Sequence, residues 1–419
     1  MAEAHPLRAD APMPFPRLLS FGAALGVSLA SAACDSTNAE GGSSSNSGPT
    51  PNGSDPSGAT GAGGAIAALT LSSCVPASYS LPLRIGDSEP FDVVLDTGST
   101  SIGVASSSCS RCDIEPKFSP DGDVTDEGVE ARSEYVTGAW SGEVYEGPIS
   151  LAAQTKASVK FVAINQQQDF FIDQTCGSKS GTVQGIMGLG PAGAALRGTT
   201  GFFDQFVAES KARDIFATSL CDDGGTLWLG GYDATRTTAA PQYTPLVPGV
   251  LTGYAVQLAA IDVEGTTVPV ASPQYSNTIV DTGSSVFLLP TSAFRSVIKA
   301  IAANDKFKAL IGEDATWFDN PNGQSCKKLS TTKSELDAAL PPLTLTFGKG
   351  ADAIAVQAAP TESYLGEYDG WWCSTLLSFD PSPDLRIASI MGAPVLRSNV
   401  VIFDRENQRL GFAPHTPCR

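Results

Sequence analysis

The amino-acid sequence predicts an all-β protein made of two related β-rich lobes with a few short helices. The first observation is an apolar strand that runs directly into Asp-Thr-Gly, at residues 91–98 and again at 278–283. The second is the triplet Ile-Met-Gly, which follows each copy, at 186–188 and at 390–392. The third is a succession of short runs with strand-like alternation, separated by turn residues. Because both elements recur in the same order, the sequence indicates a duplicated lobe.

Asp96 and Asp281 are the candidate catalytic residues, one in each copy. A carboxylate at the end of an apolar strand is costly to bury unless it is hydrogen-bonded, paired or used in chemistry. We therefore expect the rest of the chain to bring Asp96 and Asp281 together. Two carboxylates that share one proton can act as a base towards water and as an acid towards a carbonyl oxygen.

The composition excludes several classes of function. The chain has 419 residues, enough for two or three ordinary domains or one large two-lobed unit. Its formal net charge of −18 argues against a nucleic-acid partner, because phosphate binding needs clustered Lys and Arg. We interpret the acidic surface as a feature that favours solubility.

Histidine is nearly absent, since the sequence contains only His5 and His415. A His-rich zinc site is therefore excluded, and any Ser-His-Asp or Cys-His mechanism would have to use His415. Catalysis falls to carboxylates, and we expect no metal and no cofactor.

The N-terminal region has the features of an export signal. Arg17 precedes a short apolar run at 18–29, which is followed by small residues typical of a signal-peptidase cleavage region. This pattern predicts a secretory signal peptide over residues 1–33. Cys34 follows Ala-Ala and resembles a bacterial lipoprotein cleavage site, so we expect a lipidated Cys34 as the only membrane attachment, at the cell envelope or surface. Ser31 stands where that pattern usually has Leu, and the alternative is ordinary cleavage and secretion.

Three further segments follow the signal. Residues 34–68 are rich in Gly, Ser, Asn and Pro, which predicts a flexible tether. Strand-like runs begin at Leu69, and we place the N-terminal lobe at 69–240 and the C-terminal lobe at 241–419. Within the second lobe, residues 291–301 predict a helix opened by a Thr cap after a proline.

Nine cysteines indicate an oxidising compartment. The pair Cys109 and Cys112 fits a disulfide better than a redox-active pair or half of a zinc site. At the sequence level it stays open whether these two pair with each other or with Cys74 and Cys176.

From residue 73 to the C-terminus the sequence resembles the pepsin-like aspartic proteases. The resemblance rests on the two Asp-Thr-Gly-Ser motifs, on the two Ile-Met-Gly triplets and on the closing segment at 400–414. It implies a bilobal fold and a monomeric endopeptidase that cleaves polypeptides with Asp96 and Asp281 in a cleft between the lobes. It also implies supporting roles for the residues beside the carboxylates, which are Thr97, Gly98, Ser99, Thr282, Gly283 and Ser284. The threonines would cross-link the two loops, and the serines would hydrogen-bond the outer carboxylate oxygens.

The flap that covers the cleft in this family falls on Tyr135, Thr137 and Gly138, where the usual Tyr-Gly-Thr-Gly is Tyr-Val-Thr-Gly. Where the family commonly has a Trp that hydrogen-bonds the flap tyrosine, this sequence has Gly103, and Trp140 is the candidate to compensate. A basic prosegment like that of pepsin zymogens is not expected, since no Lys or Arg lies between residues 17 and 84.

Within the family the pattern is closest to the β-secretase branch, on the segments 219–221 and 225–231. Carrying over the bridges of that branch gives two expected disulfides, Cys221–Cys418 and Cys326–Cys373. No C-terminal membrane helix like that of β-secretase is expected.

Two other functions are compatible with some of these features. A non-catalytic pepsin-fold module for binding or inhibition typically loses an aspartate or its glycine, and here both Asp-Thr-Gly triplets are intact. A retaining glycosidase also uses two carboxylates, but it has no need of the duplicated triplets.

Overall fold

The computed structural model describes residues 67–416, except for 76–77, 136–137, 154, 172–173, 177–178, 182, 251–252, 272–275, 313–314, 320–323, 351–352, 369 and 381–386. The predicted signal peptide, Cys34 and almost all of the predicted tether lie outside the described residues. So do Thr137 of the flap and Cys418.

In the first half of the chain, the regular secondary structure of the described residues is mostly strand. They are β1 (Ala67–Val75), β2 (Ser78–Ile85), β3 (Phe91–Asp96), β4 (Ile102–Ala105), β5 (Thr125–Glu134), β6 (Ala139–Ala152), β7 (Thr155–Gln168), β8 (Gln174–Cys176), β9 (Lys179–Gly181), β10 (Gly185–Gly188), β11 (Ile215–Cys221) and β12 (Gly224–Leu229). The alternation of buried and exposed residues in β2 and β7 follows the period of two expected for strands with one face on the core.

The second half is also strand-rich and confirms the predicted all-β class. Its strands are β13 (Gln242–Pro245), β14 (Ala255–Val256), β15 (Leu258–Val263), β16 (Thr266–Pro269), β17 (Asn277–Asp281), β18 (Phe287–Pro290), β19 (Cys326–Lys327), β20 (Leu343–Phe347), β21 (Ile354–Ala358), β22 (Leu365–Tyr368), β23 (Trp371–Ser374), β24 (Leu376–Phe379), β25 (Ile387–Gly392), β26 (Asn399–Asp404) and β27 (Arg409–Pro414).

The described helices are short, and most lie in the second half. They are α1 (Phe202–Ser210), α2 (Thr291–Ala303), α3 (Asp305–Ile311), α4 (Lys333–Ala339) and α5 (Ala393–Leu396). The prediction of a Thr cap for α2 is wrong. Pro290 is the N-cap residue, and Thr291 is already helical and donates its hydroxyl to the Asp380 carboxylate at 2.6 Å.

One large sheet joins the two halves of the chain. Among the described strands it runs in the order β13-β27-β26-β11-β12-β1-β2-β3-β10-β4-β7-β6-β5, so β26, from near the end of the chain, pairs with β11 of the first half. Phe216 of β11 stacks on Phe403 of β26 with ring centroids 4.4 Å apart, and Tyr254 packs edge-on against Phe403 at 5.0 Å. These contacts bury apolar surface from both halves in a common core.

The same local topology surrounds the carboxylate in each half. β3 runs parallel to β10, which places Asp96 beside Gly188. β17 runs parallel to β25, which places Asp281 beside Gly392. Each Asp-Thr-Gly thus lies next to its own Ile-Met-Gly.

Disulfides are found at two of the expected places. Cys109 pairs with Cys112, which resolves the alternative left open by the sequence, and Cys326 pairs with Cys373. Cys221 is also disulfide-bonded, although its expected partner lies outside the described residues. Over the described part of the chain, no helix is long and apolar enough to cross a membrane.

Candidate active site

Two strand ends, one from each half of the chain, lie close together and carry the paired carboxylates. Asp96 is the last residue of β3 and is 4% exposed, and Asp281 is the last residue of β17. Each carboxylate accepts a backbone hydrogen bond from the glycine two residues later. The Gly98 N–H donates to Asp96 Oδ1, and the Gly283 N–H donates to Asp281 Oδ1. The donor–acceptor distance is 2.8 Å in both bonds.

The same two glycines allow the carboxylates to approach each other. A Cβ on Gly98 would lie 2.8 Å from Cγ of Asp281, and a Cβ on Gly283 would lie 2.6 Å from Oδ1 of Asp96. Any larger residue at either position would collide with the carboxylate of the other half. Glycine is therefore required by the close approach at these two positions.

Thr97 and Thr282 interlock the two loops beneath the carboxylates. The Thr97 N–H donates to Thr282 Oγ1 at a distance of 3.1 Å, and the Thr282 N–H donates to Thr97 Oγ1 at a distance of 3.0 Å. Each hydroxyl then donates across the junction, to the Val280 carbonyl oxygen at 2.9 Å and to the Leu95 carbonyl oxygen at 2.8 Å. Both threonines are fully buried. Loss of either hydroxyl would thus leave buried backbone groups without partners.

The serines after the glycines differ between the two halves. The Ser99 hydroxyl donates to Oδ2 of Asp96. The Ser284 hydroxyl does not make the expected bond to Asp281 and instead donates to the Val286 carbonyl oxygen at 3.3 Å. The two carboxylates consequently have different surroundings despite their identical local sequences.

The pKa of Asp281 is raised well above its ordinary value. The largest cause is burial, and the second is the nearby negative charge of Asp96, which also hydrogen-bonds to it. The N–H groups of Gly283 and Gly98 act in the opposite direction. Because two carboxyl groups this close cannot both ionise easily, the pair retains one proton. The raised pKa of Asp281 indicates that this proton resides on Asp281.

The predicted flap residues lie at the hairpin between β5 and β6. Its turn is closed by a hydrogen bond from the Tyr135 N–H to the Gly138 carbonyl oxygen at 2.7 Å. Burial raises the pKa of Tyr135, and the negative charge of Asp96 raises it further. The Tyr135 ring packs on Phe170 with centroids 5.5 Å apart.

This arrangement agrees with the outcome of comparison with known proteins. The sequence model of the eukaryotic aspartyl protease family matches residues 78–415. The chain belongs to this family. Membership places the chain among the aspartic-type endopeptidases, which are hydrolases.

Individual relatives of this aspartyl protease include a β-secretase, a cathepsin and a pepsin. A β-secretase of Strongylocentrotus purpuratus is 27% identical over 368 residues, covering 81% of this chain but only 66% of that protein. A cathepsin E-B of Xenopus laevis is 27% identical, covering 78% of this chain and 76% of the relative. A pepsin-2B of Gadus morhua is 26% identical, covering 78% of this chain and 92% of the relative.

The space beside Gly103 of the protease is filled by Trp140. Gly103 lies in β4, and a Cβ at this position would lie 3.2 Å from Cζ2 of Trp140 and 3.0 Å from Cδ1 of Ile164. Trp140 is 2% exposed, and its ring centroid is 6.4 Å from that of Tyr135. Tyr135, the predicted flap tyrosine, therefore has a tryptophan neighbour that comes from β6 rather than from β4.

An aromatic wall beside the flap was not identified from the sequence. Phe170 contacts Tyr135, Trp140 and Phe171, the last with ring centroids 4.9 Å apart. The only available signal was the adjacent pair of phenylalanines, which by itself is as typical of a core. Among the described residues, no cluster of His, Cys, Asp and Glu could hold a metal ion.

Thr97→Val is expected to lower the free energy of unfolding by about 2–6 kcal/mol, because it leaves the Thr282 N–H and the Val280 carbonyl oxygen buried without partners. Urea denaturation measures the change. Thr97→Ser keeps the hydroxyl and is the matched control, with an expected loss of about 1 kcal/mol from the missing methyl group. Equal stability of the valine variant and wild type would contradict a stabilising role for the cross-link.

Proposed function

We propose that the protein is an endopeptidase in which Asp96 and Asp281 together activate a water molecule for attack on a peptide bond. The observation that carries the proposal is the pair of interlocked loops that hold both carboxylates at one point. Polypeptides are the proposed substrates, and the monomer is the proposed active unit. The cleft would lie between a lobe at 69–240 and a lobe at 241–419.

The unequal surroundings of the carboxylates support a division of roles. Asp96 accepts hydrogen bonds from the Gly98 N–H and the Ser99 hydroxyl, whereas the Ser284 hydroxyl does not donate to Asp281. Asp96 is therefore the proposed base that removes a proton from the water. Asp281, with its raised pKa, is the proposed acid that donates a proton to the carbonyl oxygen.

The reaction then proceeds in two balanced stages. In the first, the water oxygen bonds to the carbonyl carbon while its proton passes to Asp96 and the proton of Asp281 passes to the carbonyl oxygen, which gives a neutral tetrahedral diol. In the second, the carbon–nitrogen bond breaks, the leaving nitrogen takes the proton from Asp96, and a diol hydroxyl returns a proton to Asp281. The flap, through Tyr135, Thr137 and Gly138, is proposed to close over the substrate and exclude bulk water.

Asp96→Asn and Asp281→Asn are each expected to lower the rate of peptide hydrolysis by about 10²- to 10⁴-fold or more, because each removes one proton-transfer group. The assay is digestion of an unfolded protein between about pH 3 and 7, with and without pepstatin, in line with a carboxylate pair that shares one proton. Wild-type activity should also fall as the pH rises through the raised pKa of Asp281, since the acid is then lost.

The surface variant Asp87→Asn is the control for that assay, because Asp87 is exposed. Undiminished hydrolysis by the Asp96→Asn variant would contradict the assignment of Asp96 as a catalytic residue. A folded wild-type protein that is inert over the whole range would favour the alternative, a binding or inhibitor module.

Asp281→Asn is expected to stabilise the protein at neutral pH. Below about pH 3.9, the ordinary pKa of Asp, the carboxyl is protonated in both the folded and unfolded states and causes no difference. As the pH rises towards the raised folded-state pKa, the unfolded state releases the proton first, so the wild type loses stability. Asparagine resembles the protonated acid and avoids this loss.

Denaturant titrations of wild type and Asp281→Asn should therefore agree near pH 3 and diverge above about pH 4, with the variant more stable. Asp87→Asn serves again as the surface control. A variant that is less stable than wild type at pH 7 would contradict the raised pKa of Asp281 in the folded state.

We further propose that the protein is exported and attached to the cell envelope through a lipid on Cys34, or else secreted. The signal-like composition of residues 1–33 and the polar tether at 34–68 support export. The described disulfides support it as well, because such bonds persist in oxidising compartments.

Cys34→Ser is expected to abolish incorporation of a radiolabelled fatty-acid precursor and to release the protein into the soluble fraction, because a lipid needs the cysteine thiol. Labelling in cells followed by fractionation measures both. Ser31→Leu, which completes the lipoprotein pattern, is the companion variant and should keep or increase the label. Labelling that persists in Cys34→Ser would exclude this residue as the anchor.

A further inference from the structure

The side chain of Gln167, near the end of β7, connects the support of the flap to a disulfide-bonded loop, residues 109–112. Its Nε2 donates to the Arg111 carbonyl oxygen at 2.9 Å, and its Oε1 accepts from the Phe170 N–H at 3.0 Å. Arg111 lies between Cys109 and Cys112, which form a disulfide. A single amide thus joins the 109–112 loop to the backbone that carries Phe170.

An apolar connection runs beside this polar one. Phe171 packs against a buried cluster that contains both Cys109 and Cys112. Its ring meets Phe170 edge-on at 4.9 Å, and Phe170 in turn stacks on Tyr135 of the flap at 5.5 Å. Aromatic contacts therefore extend without interruption from the 109–112 loop to the flap tyrosine.

The backbone after Gln167 also supports the flap turn directly. A Cβ on Gly138 would lie 2.6 Å from the Asp169 carbonyl oxygen and 2.8 Å from the Phe170 nitrogen. Asp169 has a φ of 51°, a left-handed conformation that few residues other than glycine adopt. The hydrogen bond between Gln167 Oε1 and the Phe170 N–H spans this residue and holds the turn.

We propose that Gln167 is a positioning residue for the flap, which holds Phe170 and the 169–170 backbone in place and thereby orients Tyr135 over the cleft. Loss of its amide leaves the carboxylate pair intact but lets the aromatic wall shift. Substrate binding is then weakened more than the chemical step. This inference rests on the proposed endopeptidase function, because substrate binding is the property that Gln167 controls.

Gln167→Ala is expected to raise KM about tenfold for a quenched fluorogenic peptide containing a Phe-Phe bond, with kcat changed by less than about twofold. The size corresponds to about 1.4 kcal/mol, which is within the range for the loss of one or two hydrogen bonds. Calorimetric titration with pepstatin should show a similar weakening without any turnover. A general loss of structure would lower kcat as well, so the split between KM and kcat identifies a positioning role.

Gln167→Glu tests the geometry of the amide itself. An ionised Glu accepts from the Phe170 N–H but cannot donate to the Arg111 carbonyl oxygen, whereas the protonated acid does both. The ratio of the KM of this variant to that of the wild type should therefore be well above one at pH 6 and close to one at pH 3. These two pH values lie on either side of the ordinary Glu pKa of about 4.3. Gln166→Glu adds the same charge at an exposed neighbouring position, and its relative KM should not vary in this way.

The outcomes separate this inference from the proposed function. An unchanged KM and unchanged pepstatin affinity in Gln167→Ala, or a Gln167→Glu ratio that is independent of pH, overturns the role of Gln167 while hydrolysis by the wild type stands. If the wild type binds pepstatin without cleaving the peptide, the affinities of the variants still decide the inference. A wild type that neither cleaves nor binds overturns the proposed function and this inference with it.

Discussion

The close approach of two carboxylates is the constraint on which the rest of the structure depends. Burying Asp96 beside Asp281 would be strongly unfavourable if both were ionised and unpartnered. The N–H groups of Gly98 and Gly283 offset part of this cost, and the retained proton removes the rest of the repulsion. The threonine cross-link then fixes the separation, and the shared sheet formed by strands of both halves keeps the two loops from moving apart.

A duplicated motif gives an asymmetric site because the asymmetry arises outside the motif. Ser99 and Ser284 follow identical triplets, yet only Ser99 donates to its carboxylate. The Ser284 hydroxyl instead donates to the Val286 carbonyl oxygen. The carbonyl oxygen of Ser284 accepts a hydrogen bond from the Ala393 N–H at 2.8 Å. Acid–base chemistry by two identical groups requires that one hold a proton and the other not. In the proposed mechanism, local differences of this kind allow a repeated sequence to provide both roles.

The parts of this structure that sequence reasoning reached are those that repeat or are local. The duplicated triplets were enough to predict that the two carboxylates pair, and the strand-like runs indicated the all-β class. The cross-linking threonines were expected from the family resemblance. The bonds of Ser284 and Thr291 were not predictable, since hydroxyl partners such as Asp380 are set by tertiary contacts. The contact between Phe170 and Tyr135 was not predictable for the same reason, because the two residues are remote in the chain.

Gly103 shows how a departure from a family pattern is to be judged. Taken as a single position, a glycine where relatives commonly have a tryptophan indicates that the flap tyrosine has lost its neighbour. The structure shows instead that Trp140, on a different strand, lies against Gly103 and beside Tyr135. Because interiors are close-packed, a tryptophan at 103 and one at 140 would compete for the same volume. The glycine at 103 therefore leaves room for Trp140, which supplies the aromatic ring beside Tyr135 from another strand.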